Sequence, residues 1–497
     1  MTIGELLANV CMRQPVAPAL AAQQVAGLDY DSRRVGPGFL FFAFAGEHTD
    51  GSAFAQQALE KGTLAIISEQ SCPAGIDPAV WIQVEHGRNA LASASRVFAG
   101  APDERIGLTG ITGTNGKTTT SYVLDSILAA AGKTTALIGT IGYHVGGDKR
   151  NAVNTTPESL DLYRILTELE AIDGTHATME VSSHALALGR VHGVHFHNAV
   201  FTNLTQDHLD FHGSMENYFE AKQLLFLSEG LQCAVINFDD EFGRRLRTAP
   251  SARVISYGIA KDAAMRACNV QSTFNGLRFE IRFEGARIAI SSRLTGHINV
   301  SNILAACGAA RGFGIGWDEI VRGVAACAGV PGRFERVDEG QPFLVVVDYA
   351  HTDDALRNTI RVAREMSPKR VLTLFGCGGD RDRRKRPLMG GAAGELSDFV
   401  VLTSDNPRSE DPLDIINDAL VGLRRHDTPH VIEVDRAKGI RRIIAEAQAG
   451  DIVIIAGKGH ETYQILKDKR ISFDDRDAAR TALRSFGFGR VGVGVGK

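Results

Sequence analysis

The sequence predicts an α/β protein of three domains. Two long blocks, beginning near residues 105 and 333, alternate apolar strand-like runs with helical patterns, which implies mostly parallel sheets covered on both faces. A smaller mixed segment precedes them, and 497 residues exceed what one ordinary core encloses. The expected limits are 1–104, 105–331 and 332–497, with a link near Pro331-Gly332-Arg333.

In the middle block an apolar run at 106–111 leads into a Gly/Thr loop and a helical stretch at 117–131, closed by Gly132. Further strands are expected at 134–141, 177–181, 199–202 and 234–237. Thr156-Pro157 has the chemistry of the cap and first position of a helix reaching residue 169. In the last block strands are expected at 343–347, 371–375, 399–403, 430–434 and 452–456. Polar motifs follow four of these runs: Asp348-Tyr349-Ala350-His351, Gly376 to Arg381, Asp405-Asn406-Pro407-Arg408, and Gly457 to Glu461. In a parallel sheet such loops share the carboxyl edge, where ligands bind. The Gly/Val tail from Gly487 to Lys497 has the composition of a disordered terminus.

Composition narrows the function. A formal net charge of -4 argues against non-specific nucleic-acid binding, so any anionic ligand must be held by local charges. The most apolar short run, 39–45, falls far below the roughly 20 residues that cross a bilayer, and the N-terminus carries no export pattern. Seven scattered cysteines without a Cys-x-x-Cys pair suggest neither disulfides nor a zinc knuckle, which fits a reducing cytoplasm.

Gly113-Thr114-Asn115-Gly116-Lys117-Thr118 lies between a strand and a helix, the context in which backbone N–H groups and a lysine cradle nucleotide phosphates. It departs from a strict Walker A, whose first glycine would fall at Ile111; a plain glycine turn is the alternative. This motif makes the middle domain P-loop-type, whereas the β-α repetition of the final block makes that block Rossmann-like. Glu180 ends a strand, as a hard oxygen ligand for Mg²⁺ should, although a solvated strand-end carboxylate is the commoner reading of such a residue alone. His192, His195, His197, His208 and His212 crowd one region, but no His-Glu-x-x-His pattern or cysteine partner supports a zinc hydrolase.

Gly113 to Thr119 resembles the ATP loop of the Mur ligases and their relative folylpolyglutamate synthetase. The resemblance extends through Asp31-Ser32-Arg33 with Gly38, Asn154-Thr155-Thr156-Pro157, Met179 to His184, and Asn203 to Asp210. It implies ATP as co-substrate, held by Gly113, Thr114, Asn115, Gly116, Lys117, Thr118 and Thr119, with Asn302, Arg333 and His351 closing over the nucleotide. It also implies Mg²⁺ at Thr118, Glu180 and His208, and a carbamylated Lys222 beside the metal; without the resemblance Lys222 would pass for an exposed helix lysine. Lys117, Glu180, His208 and Lys222 are then the catalytic set.

The same resemblance assigns a UDP-N-acetylmuramoyl-dipeptide to Ser32, Glu47, His48, Thr49, Asn154, Thr155, Thr156, Ser182 and Arg190. Leu188 stands where a glutamine is expected, and Asp353 replaces a common proline. Asp405, Asn406, Pro407 and Arg408 resemble the motif of diaminopimelate-adding members, with Arg381, Gly457 and Glu461 as the other acceptor contacts. Arg408 can grip the distal carboxylate that separates meso-diaminopimelate from lysine. The expected chemistry is ATP-driven amide formation through an acyl phosphate, in peptidoglycan precursor synthesis. Folylpolyglutamate synthetase should need neither Asp31-Ser32-Arg33 nor Asp-Asn-Pro-Arg, and a P-loop transport or switch ATPase should turn over ATP without a muramoyl peptide.

Overall fold

The computed structural model describes residues 1–46, 49–274, 276–467 and 469–489. Glu47, His48 and most of the Gly/Val tail therefore lie outside the described residues. The chain forms two compact units. Met1–Ala267, Ile281–Ile288 and Ser301–Val324 make up the first, and the remaining described residues the second.

The first unit opens with four parallel strands in sequential order, Gly27–Asp29, Phe39–Ala43, Ala65–Ser68 and Trp81–Gln83. The helix Gly87–Phe98 packs its apolar stripe, including Leu91 and Ala94, into that domain's core. Six parallel strands of a larger mixed sheet run in the order Arg253–Gly258, Cys233–Asn237, Asn198–Phe201, Gly107–Thr112, His176–Glu180, Thr135–Ile138. Gly107–Thr112, His176–Glu180, Asn198–Phe201 and Cys233–Asn237 are almost wholly buried, as parallel strands covered on both faces must be, and this is why they appear in the sequence as apolar runs. Asp29, at the end of the first strand, pairs with Arg34 at 2.8 Å and with Arg164 of the helix Ser159–Ala171 at 2.9 Å.

One expected helix start is corrected. The helix begins at Ser159 with Glu158 in the capping position. Thr156 is not its cap, because the Thr156 hydroxyl donates to the Glu180 carbonyl at 2.9 Å and accepts the Ser182 N–H at 3.0 Å.

The second unit holds a six-stranded sheet. Leu344–Asp348, Ile452–Ala456, Val371–Phe375, Phe399–Thr403 and His430–Glu433 are parallel in that order, with Glu335–Val337 antiparallel on one edge. The four polar motifs follow the carboxyl ends of four of these strands. A separate hairpin, Tyr463–Leu466 with Lys469–Ser472, folds back over one of them.

Candidate active site

Strand Gly107–Thr112 delivers the chain into the loop 113–116, and helix Lys117–Ala130 starts at its end. Gly113 and Gly116 have φ of 149° and 86°. A Cβ on Gly113 would sit 1.9 Å from Thr202 Oγ1, and one on Gly116 2.4 Å from Asn302 Oδ1, so glycine is required at both and Asn302 lies against the loop. The Lys117 ammonium donates to the Gly113 and Thr114 carbonyls at 2.8 and 2.9 Å, folded back over the loop, and the Thr114 and Asn115 N–H groups both donate to Asn203 at 2.9 Å.

At the start of this helix the Thr118 hydroxyl donates to Glu180 Oε2 at 3.1 Å. Thr140 reaches the same carboxylate twice, through its N–H to Oε1 at 3.0 Å and its hydroxyl to Oε2 at 3.0 Å. Thr140 Oγ1 then contacts Thr155 Oγ1 at 3.1 Å. Glu180 is 1% exposed and has no ion-pair partner among the described residues. A buried carboxylate held only by neutral donors, next to a hydroxyl at a helix start, fits a hard divalent cation such as Mg²⁺.

Lys222, 1% exposed on helix Met215–Gln223, donates to the Gly113 carbonyl at 3.0 Å and lies over the Tyr218 ring. Burial, and after it the nearby Lys117, pushes its ammonium well below the usual lysine range. His208 lies 6.3 Å from the Tyr218 ring and 4.8 Å from His184, in a left-handed conformation. No hydrogen bond or ion pair joins it to Glu180 among the described residues. His212, the other member of this group, contacts Ser183 Oγ at 2.9 Å, and burial holds its ring at about 4. His192 and His195 line a separate cavity of about 510 Å³, and His197 packs against Phe313.

On the sugar-peptide side, Thr156 and Ser182 are joined through the bonds already given. Ser182 Oγ caps the short helix Ser183–Ala187, and the Asn154 carbonyl accepts from Tyr143 Oη at 2.6 Å. Arg190 pairs with Glu158 at 3.0 Å and donates to the Thr156 carbonyl at 3.2 Å. Arg88 from the N-terminal domain meets the same Glu158 at 3.4 Å. Within that domain the Ser32 hydroxyl contacts Gln57 Oε1 at 3.1 Å, Lys61 holds the Ser32 carbonyl at 2.8 Å, and the Thr49 carbonyl accepts from Gly46.

In the second unit Arg333 and His351 gather around Tyr349, at 4.8 and 4.6 Å from its ring. Around Asp405-Asn406-Pro407-Arg408 the structure brings the expected acceptor residues together. Asn406 Nδ2 donates to Glu461 Oε2 at 3.0 Å. Gly457 has no room for a side chain, since its Cβ would be 2.6 Å from Asp405 Oδ2. Arg408 donates to the Gly379 carbonyl at 2.7 Å, with no carboxylate partner among the described residues, and Arg381 flanks the same Gly378-Gly379 turn. Arg408 is left-handed, with φ of 52°, held by backbone bonds to Ile465 and Lys467 of the hairpin.

The comparisons with known proteins follow this layout. Family descriptions match three successive segments: "Mur ligase family, catalytic domain" over 24–99, "Mur ligase middle domain" over 111–310, and "Mur ligase, glutamate ligase domain" over 332–459. A protein of Solibacter usitatus named UDP-N-acetylmuramoyl-L-alanyl-D-glutamate--2,6-diaminopimelate ligase is 62% identical over 98% of this chain and 99% of its own. The chain belongs to the Mur ligase family. A Geobacillus thermodenitrificans protein of the same name is 45% identical over 93% of this chain and 95% of its own. A solved structure titled for that ligase superposes with a TM-score of 0.73 at 34% identity, covering 98% and 99% of the two chains. The Mur ligase motifs did not point to Thr140, Glu158, Lys458 or Gln464. Lys458 stands inside the Gly457-to-Glu461 motif, and its place three residues before Glu461 was the available signal.

Proposed function

We propose that this Mur ligase joins meso-2,6-diaminopimelate to UDP-N-acetylmuramoyl-L-alanyl-D-glutamate, converting ATP to ADP and phosphate, as a cytoplasmic step of peptidoglycan precursor synthesis. The observation that carries the reading is the hydrogen-bonded run Thr118–Glu180–Thr140–Thr155, which ties the phosphate loop to the Asn154-Thr155-Thr156 motif. A carboxylate held at that motif lies next to the loop that would present the terminal phosphate of ATP. The 62% identical relative carries the same substrates in its name.

Amide formation from a free carboxylate is uphill in water, so the carboxylate oxygen first takes the terminal phosphoryl group of ATP as the bond to the departing ADP breaks. The acceptor amine then attacks the acyl phosphate, phosphate leaves with the C–O bond electrons, and the amine loses its proton. Lys117 neutralises phosphate charge, and the loop N–H groups orient it. Thr118, Glu180, His208 and a carbamylated Lys222 are the residues proposed to hold Mg²⁺, which when bound supplies further charge neutralisation. Ser32, Glu47, His48, Thr49, Ser182 and Arg190 hold the nucleotide-sugar substrate. Asn302, Arg333 and His351 complete the nucleotide site. Arg381, Asp405, Asn406, Arg408, Gly457 and Glu461 hold the amino acid.

The test is phosphate release with ATP, the UDP-muramoyl-dipeptide and a panel of amines. Turnover requiring both the dipeptide and diaminopimelate is expected. Equal ATP hydrolysis without the muramoyl peptide would overturn the ligase reading in favour of a transport or switch ATPase.

A further inference from the structure

Lys458 is 0% exposed, an unusual place for an ammonium group, and it stands among three residues of the acceptor site. Its Nζ donates to Glu461 Oε2 at 2.8 Å and to Asn406 Oδ1 at 3.2 Å, and lies 3.7 Å from Asp405 Oδ1. We infer that Lys458 is the positioning residue that sets the Asn406 amide and the Glu461 carboxylate in the orientation that receives the ammonium of the amino-acid acceptor. The inference rests on the acceptor assignment made above.

The geometry argues it in two steps. An ammonium can only donate, and so can a backbone N–H. Asn406 Oδ1 accepts from both Lys458 Nζ and the Ile465 N–H, the latter at 2.9 Å, so the amide cannot flip. Its Nδ2 is thereby fixed on Glu461 Oε2 at 3.0 Å. Glu461 Oε2 thus takes two donors from the protein, while Oε1 takes none among the described residues. One buried cation in this way selects which carboxylate oxygen remains to accept from a ligand. The hairpin completes the frame, since Gln464 Nε2 donates to the Asp405 carbonyl at 2.6 Å.

Removing the ammonium frees the amide to rotate and leaves Glu461 and Asp405 with uncompensated charge, so the loss should fall on acceptor binding. Lys458→Met keeps the chain length and deletes the donor. Kinetics of wild type, Lys458→Met, Glu461→Gln and the double variant would be measured with ATP, the UDP-muramoyl-dipeptide and diaminopimelate, with thermal midpoints alongside. A rise of roughly 10- to 100-fold in KM for diaminopimelate is expected in Lys458→Met, with KM for the other two substrates unchanged. The double variant should be no worse than its more damaged parent, because both changes disable one oxygen. A folded Lys458→Met with wild-type KM for diaminopimelate overturns the inference, as does full additivity in the double variant. Should Lys458→Met not fold, Lys458→Gln retains an amide donor and is expected to show a smaller rise in the same constant; no rise overturns the inference. A wild type that ligates no diaminopimelate would instead overturn the acceptor reading beneath it.

Discussion

Lys117 and Lys222 donate to one and the same carbonyl oxygen, that of Gly113, at 2.8 and 3.0 Å. Burial, and after it the repulsion of the neighbouring Lys117 ammonium, pushes Lys222 well below the usual lysine range, so it holds its proton weakly. A neutral amine is the form that attacks carbon dioxide. The new N–C bond gives a carbamate, one proton is lost, and the charge facing Lys117 becomes negative. Lys222→Ala should therefore lower kcat by roughly 10²- to 10³-fold, with partial restoration by short carboxylic acids that supply the missing oxygens. Carbon-13 NMR of enzyme equilibrated with labelled carbon dioxide should show one carbamate signal, absent in the variant. An active wild type without that signal refutes the modification.

Thr140 holds Glu180 by two bonds and touches Thr155 with the same hydroxyl. In Thr140→Val the backbone bond survives and the hydroxyl bridge does not. A fall in kcat of roughly 10- to 100-fold is expected, the usual range for a lost hydrogen bond to a charged group, with an intact fold by circular dichroism. Unchanged turnover would show that the bridge plays no part in the reaction.

Arg408 has its guanidinium on a carbonyl, without a carboxylate partner among the described residues. Bound diaminopimelate pairs that charge, and bound lysine leaves it desolvated and unpaired. Wild type should discriminate against lysine by roughly 10⁴-fold in kcat/KM. Arg408→Ala and Arg408→Lys should both raise KM for diaminopimelate, because a point charge does not reproduce the fork, and KM for ATP should hold. Equal use of lysine by wild type would refute the acceptor assignment.

His176 gives the protein a defined acid sensitivity. Burial against Phe313, at 4.7 Å between rings, lowers its pKa from 6.5 to about 4. The unfolded chain binds this proton more readily, so the contribution of His176 to stability is present above about 6.5, falls as pH drops, and is gone below about 4. His176→Gln should flatten the pH dependence of the thermal midpoint across this window. An unaltered slope would exclude His176 as a source.

The central parallel strands of both large sheets were legible because strands buried on both faces leave continuous apolar runs, and the motif loops follow at their ends, whereas partly exposed strands such as Arg253–Gly258 and Glu335–Val337 were not. What escaped was contact between distant segments. Nothing local marks Thr140 as a partner of Glu180, 40 residues on, or Gln464 as a partner of Asp405, 59 residues away. Thr156 misled for a related reason. Its hydroxyl has the chemistry of a helix cap, but the strand ending at Glu180 claims it first.

The left-handed backbone at Arg408 limits how acceptor choice can change in this family member. Most residues adopt such a conformation only at a cost of about 1 kcal/mol or more, which glycine avoids and asparagine and aspartate largely escape, while β-branched residues fit worst. A swap of the whole side chain for valine or isoleucine would therefore distort the loop that also carries Asp405 and Asn406. The substitutions open to an engineer, or to drift, are those that keep the bend, which unbranched side chains do at the strain arginine already bears. Single steps to a new acceptor are thus confined to unbranched residues at this position, whereas valine or isoleucine would strain the backbone bonds to Ile465 and Lys467 as well.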